Sequence, residues 1–204
     1  MGRPEDWVHL VSNLDTVIDL VGGSEIKDLT AANFEAILKA VQATRPSQAP
    51  KINYIHTSGT WVHGDNREDI VTDSTALKPI ELVAWRPALE ELVCKNQILN
   101  GIVIRPALLY GRDGSLLAEL FKSAAEGLVK WAGTPGGRFA LIHVDDLANI
   151  YVRAAEKAPI LGGTVIDAAN DLTESVDDVL QKLVKVSGAK GYEYSTPTNC
   201  TLIY

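Results

Sequence analysis

The sequence predicts an α/β fold built on a mainly parallel sheet with flanking helices, and three observations carry that prediction. Short apolar or β-branched stretches alternate with helical patterns along the chain, and strands separated by helices need crossover connections that leave neighbouring strands parallel. Residues 51–64, KINYIHTSGTWVHG, run apolar and then break into small hydroxylated residues, the way open parallel sheets end at a ligand crevice. Residues of the AVILMFWYC set make up 46% of the 204 positions, enough to build the core of one domain.

The elements follow in order. Residues 15–21 read as a strand closed by Gly22, Gly23 and Ser24, and Thr30 is expected to cap a helix with Phe34, Ile37, Leu38 and Val41 on one face. Residues 52–57 form the next strand. After a polar loop at 65–78 a helix is expected over about 79–95, with Leu82, Leu89, Leu92 and Val93 inward and a kink or restart at Pro87. Residues 102–104 are a β-branched strand, and Ser115 opens a helix carrying Leu116, Leu117, Leu120, Phe121 and Ala124 on one face. A short strand at 139–142 leads to a helix capped by Asp145, which carries Leu147, Ile150, Tyr151, Ala154 and Ala155. A further strand lies at 164–166. Thr173 is expected to cap the last helix, where Val176, Val179, Leu180, Leu183 and Val184 make a stripe stopped by Gly188.

Composition excludes several classes of function. A formal net charge of −7 without a local Lys/Arg cluster argues against nucleic acid or an acidic membrane surface. No apolar run approaches the roughly 18 residues of a bilayer span, and residues 1–10 do not resemble a signal peptide. A cytoplasmic protein is expected. Cys94 and Cys200 stand apart, so neither a disulfide framework nor a metal site is expected. Asn199-Cys200-Thr201 fits a glycosylation pattern that has no meaning in such a chain.

Four stretches in this order, VIDLVGG at 17–23, Thr57-Ser58-Gly59, IRPALLYGR at 104–112 and IHVDDLA at 142–148, resemble the back two-thirds of an extended short-chain dehydrogenase/reductase. That is the NAD-dependent epimerase/dehydratase branch with its atypical relatives, and the likeness covers residues 10–190. It implies a single Rossmann-like domain, truncated at its N-terminus, with substrate-side segments at 107–142 and 168–204. It also implies NAD or NADP as cofactor, a small-molecule substrate, and oxidoreductase or epimerase-like chemistry.

By the same resemblance the first three strands and their glycine-rich phosphate turn are not in this chain. Residues 133–137, GTPGG, are Gly-rich but precede a strand rather than follow one. The first strand present then becomes an exposed sheet edge, through which a homo-oligomer is expected.

The family's acid/base tyrosine and its lysine four residues later also find no counterpart. Counting back from Glu90 and Val93 places Arg86 at the lysine and Leu82 at the tyrosine, and a leucine transfers no proton. Ser58 falls where the family places a hydroxyl on the substrate oxygen, although a strand-end hydroxyl bonded to its own loop explains it equally well. Ser58 and Arg86 are the catalytic candidates. Gly22, Gly23, Thr57, Arg86, Pro106 and Ala107 are the cofactor candidates. Gly59, Trp61, His63, Tyr110, Arg112 and His143 are the substrate candidates, and no metal is expected. His56 joins His63 and His143 without metal-ligand spacing, and Asp146 sits beside Asp145 at a helix start. The expected function is an NAD(P)-binding epimerase- or reductase-like protein, impaired or inactive as this chain. The alternative is a non-catalytic ligand-binding or regulatory protein, or a fragment from an alternative start.

Overall fold

A computed structural model describes residues 3–66, 68–113 and 115–195, so the Asn199-Cys200-Thr201 pattern lies outside the described residues. The chain opens with α1 (Pro4–Trp7) and a 3-10 stretch Val8–Asn13, followed by β1 (Thr16–Asp19), α2 (Ile26–Thr44) and β2 (Asn53–Thr57). Short 3-10 turns at Thr60–His63 and Glu81–Val83 lead to α3 (Arg86–Cys94), β3 (Asn100–Pro106), β4 (Leu108–Tyr110), α4 (Ala118–Ala125) and β5 (Val129–Ala132). Then come β6 (Arg138–Phe139), β7 (Leu141–His143), α5 (Val144–Glu156), α6 (Ala158–Leu161), β8 (Val165–Ala168), β9 (Glu174–Ser175), α7 (Val176–Ser187) and β10 (Tyr192–Ser195). Two compact units result, Met1–Pro106 with Ala148–Ala168, and Ala107–Leu147 with Ala169–Tyr204.

The first unit is a four-stranded sheet in the order β1-β2-β3-β8, parallel throughout. Its register aligns Asp19, His56, Val103 and Val165 in one row across all four strands. Because side chains alternate along a strand, Tyr54 and His56 face one side of the sheet and Ile55 the other. On the Tyr54 side, Phe34, Ile37 and Val41 of α2 pack with Leu89 and Val93 of α3, Leu99, Val103 and Val11. Trp7 and Val8 close that cluster from the N-terminal turns. Ile55, Ile102 and Ile104 are also fully buried, each worth about 2 kcal/mol relative to an exposed side chain. Helix α3 lies close on β3 at Gly101, where a Cβ would stand 2.0 Å from the Val93 carbonyl oxygen.

The second unit holds three two-stranded ladders: β4 with β7 and β5 with β10, both parallel, and β6 with β9, antiparallel. Its core joins Leu120, Ala124 and Val129 to Val176, Leu180 and Leu183, with Trp131, Phe139, Tyr192 and Tyr194 packed around them. Helix α7 starts on Ser175, whose hydroxyl accepts the Asp178 N–H at 3.2 Å. It ends at Gly188 in the left-handed conformation, as the sequence pattern required.

Several local expectations are corrected. Thr30 does not cap α2; the helix begins at Ile26 and Thr30 is buried within it. The helix expected over 79–95 starts only at Arg86, with Pro87 in its first turn, where its missing N–H costs nothing. Leu82 therefore sits in the preceding 3-10 turn and is 42% exposed, while Leu92 on the outer face of α3 is 61% exposed. Ser115 precedes α4 instead of opening it: its hydroxyl donates to the Leu109 carbonyl and accepts the Leu117 N–H, and Phe121 points to solvent. The strand at 139–142 is interrupted at Ala140. Asp145 lies inside the first turn of α5 and Thr173 lies ahead of the Ser175 cap, where its hydroxyl accepts from Arg138 Nε.

The close approach of α3 and β3 predicts that Gly101→Ala destabilises the protein by about 3 kcal/mol, since overpacking must move a backbone carbonyl rather than a side chain. Urea unfolding of the variant against the parent measures it; an unchanged midpoint would contradict the packing described.

Candidate functional site

Parallel strands bring all their C-terminal ends to one edge of the sheet, and in the first unit that edge gathers Gly22 and Gly23 after β1, Thr57 and Ser58 at the end of β2, and Pro106 at the end of β3. The Ser58 N–H donates to the Ile104 carbonyl at 2.8 Å, extending the ladder one residue beyond β2. Its hydroxyl donates to Glu90 Oε1 of α3. Glu90 is in turn gripped by Arg105 of β3, whose Nε lies 3.2 and 3.1 Å from the two carboxylate oxygens and whose Nη2 lies 2.5 Å from Oε2. Arg105 Nη1 stands 3.6 Å from Asp167 Oδ1 of β8, and Asp167 Oδ2 accepts from His63 Nε2 at 2.8 Å. Ser58, Glu90, Arg105 and His63 are all buried. Burial works against the charge on Arg105, and the hydrogen bonds and charges of Glu90 and Asp167 outweigh it, leaving its pKa raised.

A second polar group sits on the same sheet face. Tyr54 donates its hydroxyl to Asp19 Oδ2 at 2.7 Å, and Asp19 Oδ1 accepts the Val21 N–H at 3.2 Å, which fixes the approach to Gly22 and Gly23. The Tyr54 hydroxyl is pushed far up by burial, with the Asp19 carboxylate adding to it. His56 stacks on Tyr54 at 6.5 Å, is 1% exposed, and neither ring nitrogen has a protein partner. Its pKa is lowered to about 4, chiefly by burial; Asp19 opposes, Arg86 acts with burial, and Glu90 opposes. On the other face, Thr57 Oγ1 and the Tyr151 hydroxyl of α5 are 2.7 Å apart, and burial lifts the Tyr151 pKa to about 12.

Arg86 opens α3 beside this edge. Its guanidinium stands 4.8 Å over the Trp85 ring, Nη1 reaches the Thr57 carbonyl at 3.4 Å, and Nε is buried without a protein partner. Burial lowers its pKa, with Glu90 opposing, yet an arginine stays charged at neutral pH. Ser58, with its one hydrogen given to Glu90, remains an acceptor only. The arrangement therefore offers a cationic fork and hydroxyl acceptors, and no group at Leu82 to move a proton.

In the second unit β4 and β7 end together, with Tyr110 in register with His143 and their rings edge-to-face at 5.1 Å. Arg112, in the left-handed region at φ 55°, ties its guanidinium to Asp145 at 2.7–2.8 Å. His143 Nδ1 accepts the Asp145 N–H at 3.2 Å. A Cβ on Gly111 would fall 2.2 Å from His143 Nε2, so only glycine fits between them. Tyr110, Arg112 and His143 thus form one cluster, and Ala107 is buried at the start of this unit. Gly59 and Trp61 follow Ser58, half-buried, on the turn that ends in His63.

Sequence reasoning missed Asp19, Glu90, Arg105 and Asp167 as site-forming residues. The signal was present: VID at 17–19, VID at 165–167 and IRP at 104–106 each set a charge at the end of an apolar strand, where charges are rarely buried unless paired. Among the described residues no group of three or more His, Cys, Asp or Glu could hold a metal ion, and no helix is long and apolar enough to cross a membrane.

No family model matches the sequence, and no curated protein matches it significantly. Solved structures do match by shape. The dTDP-glucose 4,6-dehydratase from Bacillus anthracis in complex with NAD superposes with a TM-score of 0.79 at 17% identity, over 96% of this chain and 65% of that one. The UDP-glucuronic acid 4-epimerase from Bacillus cereus in complex with NAD gives 0.73 at 21%, over 94% of this chain and 66% of that one. The human epimerase family protein SDR39U1 (isoform 2) with NADPH gives 0.67 at 17%, over 93% and 70%. The Rossmann-like parallel sheet expected from the sequence is the fold these structures share. The chain spans about two thirds of their length.

Burial of His56 as a neutral ring sets a pH dependence. The unfolded chain takes up its proton near pH 6.5 and the folded protein only near 4. The stability of the neutral-His56 state is thus complete above pH 6.5 and is lost as pH falls toward 4, by up to about 3 kcal/mol. Replacing it in His56→Phe removes that slope. Urea midpoints of parent and variant between pH 4 and 7 measure the difference, and parallel profiles would contradict the burial.

Proposed function

We propose that this chain binds a nicotinamide dinucleotide, NAD or NADP, along the C-terminal edge of β1, β2 and β3, as part of a protein of the epimerase or reductase type, and that acid–base turnover is not carried by these residues. The observation that carries the reading is Arg86: a half-buried guanidinium with an unpartnered Nε, at the start of a helix, against the end of β2. Such a group suits a ribose or phosphate oxygen. Gly22 and Gly23 leave open space at their α-carbons for a close-lying ligand, and Thr57, Pro106 and Ala107 complete the cofactor side. The similar solved structures with NAD or NADPH bound share this sheet, which supports the reading at the level of fold.

When bound, the nicotinamide supplies hydride acceptance or donation. The residues of this chain orient it: Arg86 by charge, Thr57 and Ser58 as hydroxyl acceptors, and Gly59 and Trp61 by lining the approach, while buried His63 holds the end of their turn. Tyr110, Arg112 and His143 are proposed as small-molecule substrate contacts of the second unit. Leu82 in the proton donor's place and Ser58 committed to Glu90 favour ligand binding without turnover, which is also the sense of a regulatory reading. A cytoplasmic setting belongs to the same proposal, and so does self-association through β1, the outer strand of its sheet, where Ile18 and the following Leu20 are exposed.

Two measurements test this. Calorimetric titration of NADH and NADPH should give a Kd of about 1 mM or tighter, worth about 4 kcal/mol. Arg86→Ala should weaken it about tenfold while keeping the fold. No heat with either nucleotide would overturn the reading. Sedimentation velocity should show a concentration-dependent oligomer that Leu20→Lys disperses; a monomer at all concentrations would remove the edge from the account.

A further inference from the structure

Ser58 and His63 are the two ends of one turn, and a single chain of buried and part-buried groups runs between them outside the backbone. It passes from the Ser58 hydroxyl to Glu90 on α3, through Arg105 on β3, to Asp167 on β8, and back to His63. Arg105 touches both carboxylates. Its side chain is 5% exposed, that of Glu90 4% and that of Asp167 17%. Between the anchors the burial changes: Ser58, Val62 and His63 are buried, whereas Gly59, Thr60 and Trp61 are only partly covered. The middle of the turn is presented while its ends are held.

We propose that Arg105, acting through Glu90 and Asp167, is a positioning residue that clamps residues 58–63 as a preformed ligand-contacting turn. The contact with ligand rests on the dinucleotide reading above; the clamp itself does not. The physical grounds are the fork of the guanidinium and the low local dielectric. Glu90 takes two guanidinium nitrogens at once, which fixes direction as well as distance, and Nη1 is left to face Asp167. His63 Nε2 donates to Asp167 Oδ2, so the far end of the turn is set by strand β8. A turn held at both ends loses little conformational freedom on meeting a ligand, and preorganisation of that kind is repaid as affinity.

Removing Arg105 would strip both carboxylates of their shared guanidinium partner, so the test cuts the chain at its His63 end. His63→Leu breaks the bond to Asp167, His63→Gln retains an amide donor at about the same reach, and Asp167→Asn removes the charge with the shape kept. Amide hydrogen exchange is read at Val62 and Gly64, whose N–H groups bond within the turn to Gly59 and Trp61. The expected result is exchange about tenfold faster at these amides in His63→Leu and Asp167→Asn, recovery in His63→Gln, and no change in β3. Affinity for NADH or NADPH should fall in step. Unchanged turn amides in a folded His63→Leu, or His63→Gln as fast as His63→Leu, would overturn the clamp, and this pair decides even if Asp167→Asn does not fold. Fast turn amides with unchanged nucleotide affinity would overturn the ligand-contacting part. If the parent binds neither nucleotide while the exchange pattern holds, the clamp stands and the dinucleotide reading falls.

Discussion

The ion pair between Glu90 and Arg105 is the interaction on which the first unit's polar edge depends. Both charged side chains are almost wholly buried, and such charges are acceptable inside only when paired: each compensates the other, with Asp167 also facing Arg105 and Arg86 close to Glu90. The pair joins α3 to β3 at the level where both meet the end of β2, so it sets where Ser58, Arg86 and the following turn stand. Gly101 sits earlier on β3 and lets the same helix lie against the same strand at backbone distance. One contact is steric and the other electrostatic, and together they fix the tilt of α3 on the sheet.

Much of the fold was readable from periodicity. The apolar stripes of α2 and α7, the β-branched run of β3 and the left-handed stop at Gly188 all appear where the pattern placed them. Helix starts were not readable to the same degree, and the reason is physical. Thr30, Asp145 and Thr173 are each good capping residues, but packing of Phe34 and Ile37 carried α2 a turn further back, and Ser175 lay closer to the true start of α7. Leu82 reads as a core leucine only if the helix reaches it; with Pro87 in the first turn of α3 the helix does not, and the side chain faces outward.

The candidate site was readable in its location and not in its wiring. The strand-end residues Thr57 and Ser58 and the cationic Arg86 lie together at the sheet edge, as alternating α/β order demands. What the pattern could not supply is which of them already have partners. In sequence Ser58 reads equally as a substrate-contacting hydroxyl or one bonded to its own loop, and in space it is a donor to Glu90. Thr57 is shared with Tyr151, a residue on a helix almost a hundred positions later. Hydrogen bonds between residues so distant in sequence leave no local trace, whereas a charge at the end of an apolar strand, as in Asp19, Arg105 and Asp167, does leave one.

The order in which the sheet's strands occur along the polypeptide has a consequence for how the molecule is made. Strand β8 pairs with β3, yet the chain passes through β4, α4, β5, β6, β7, α5 and α6 before β8 is reached. During synthesis β3, buried at every position from Gly101 to Pro106 in the finished protein, must wait with one side unpaired. Closing such a long excursion costs entropy before any contact repays it. A nascent chain halted ahead of residue 165 therefore carries an open, strongly apolar ladder, the kind of surface that recruits chaperones or a neighbouring nascent chain.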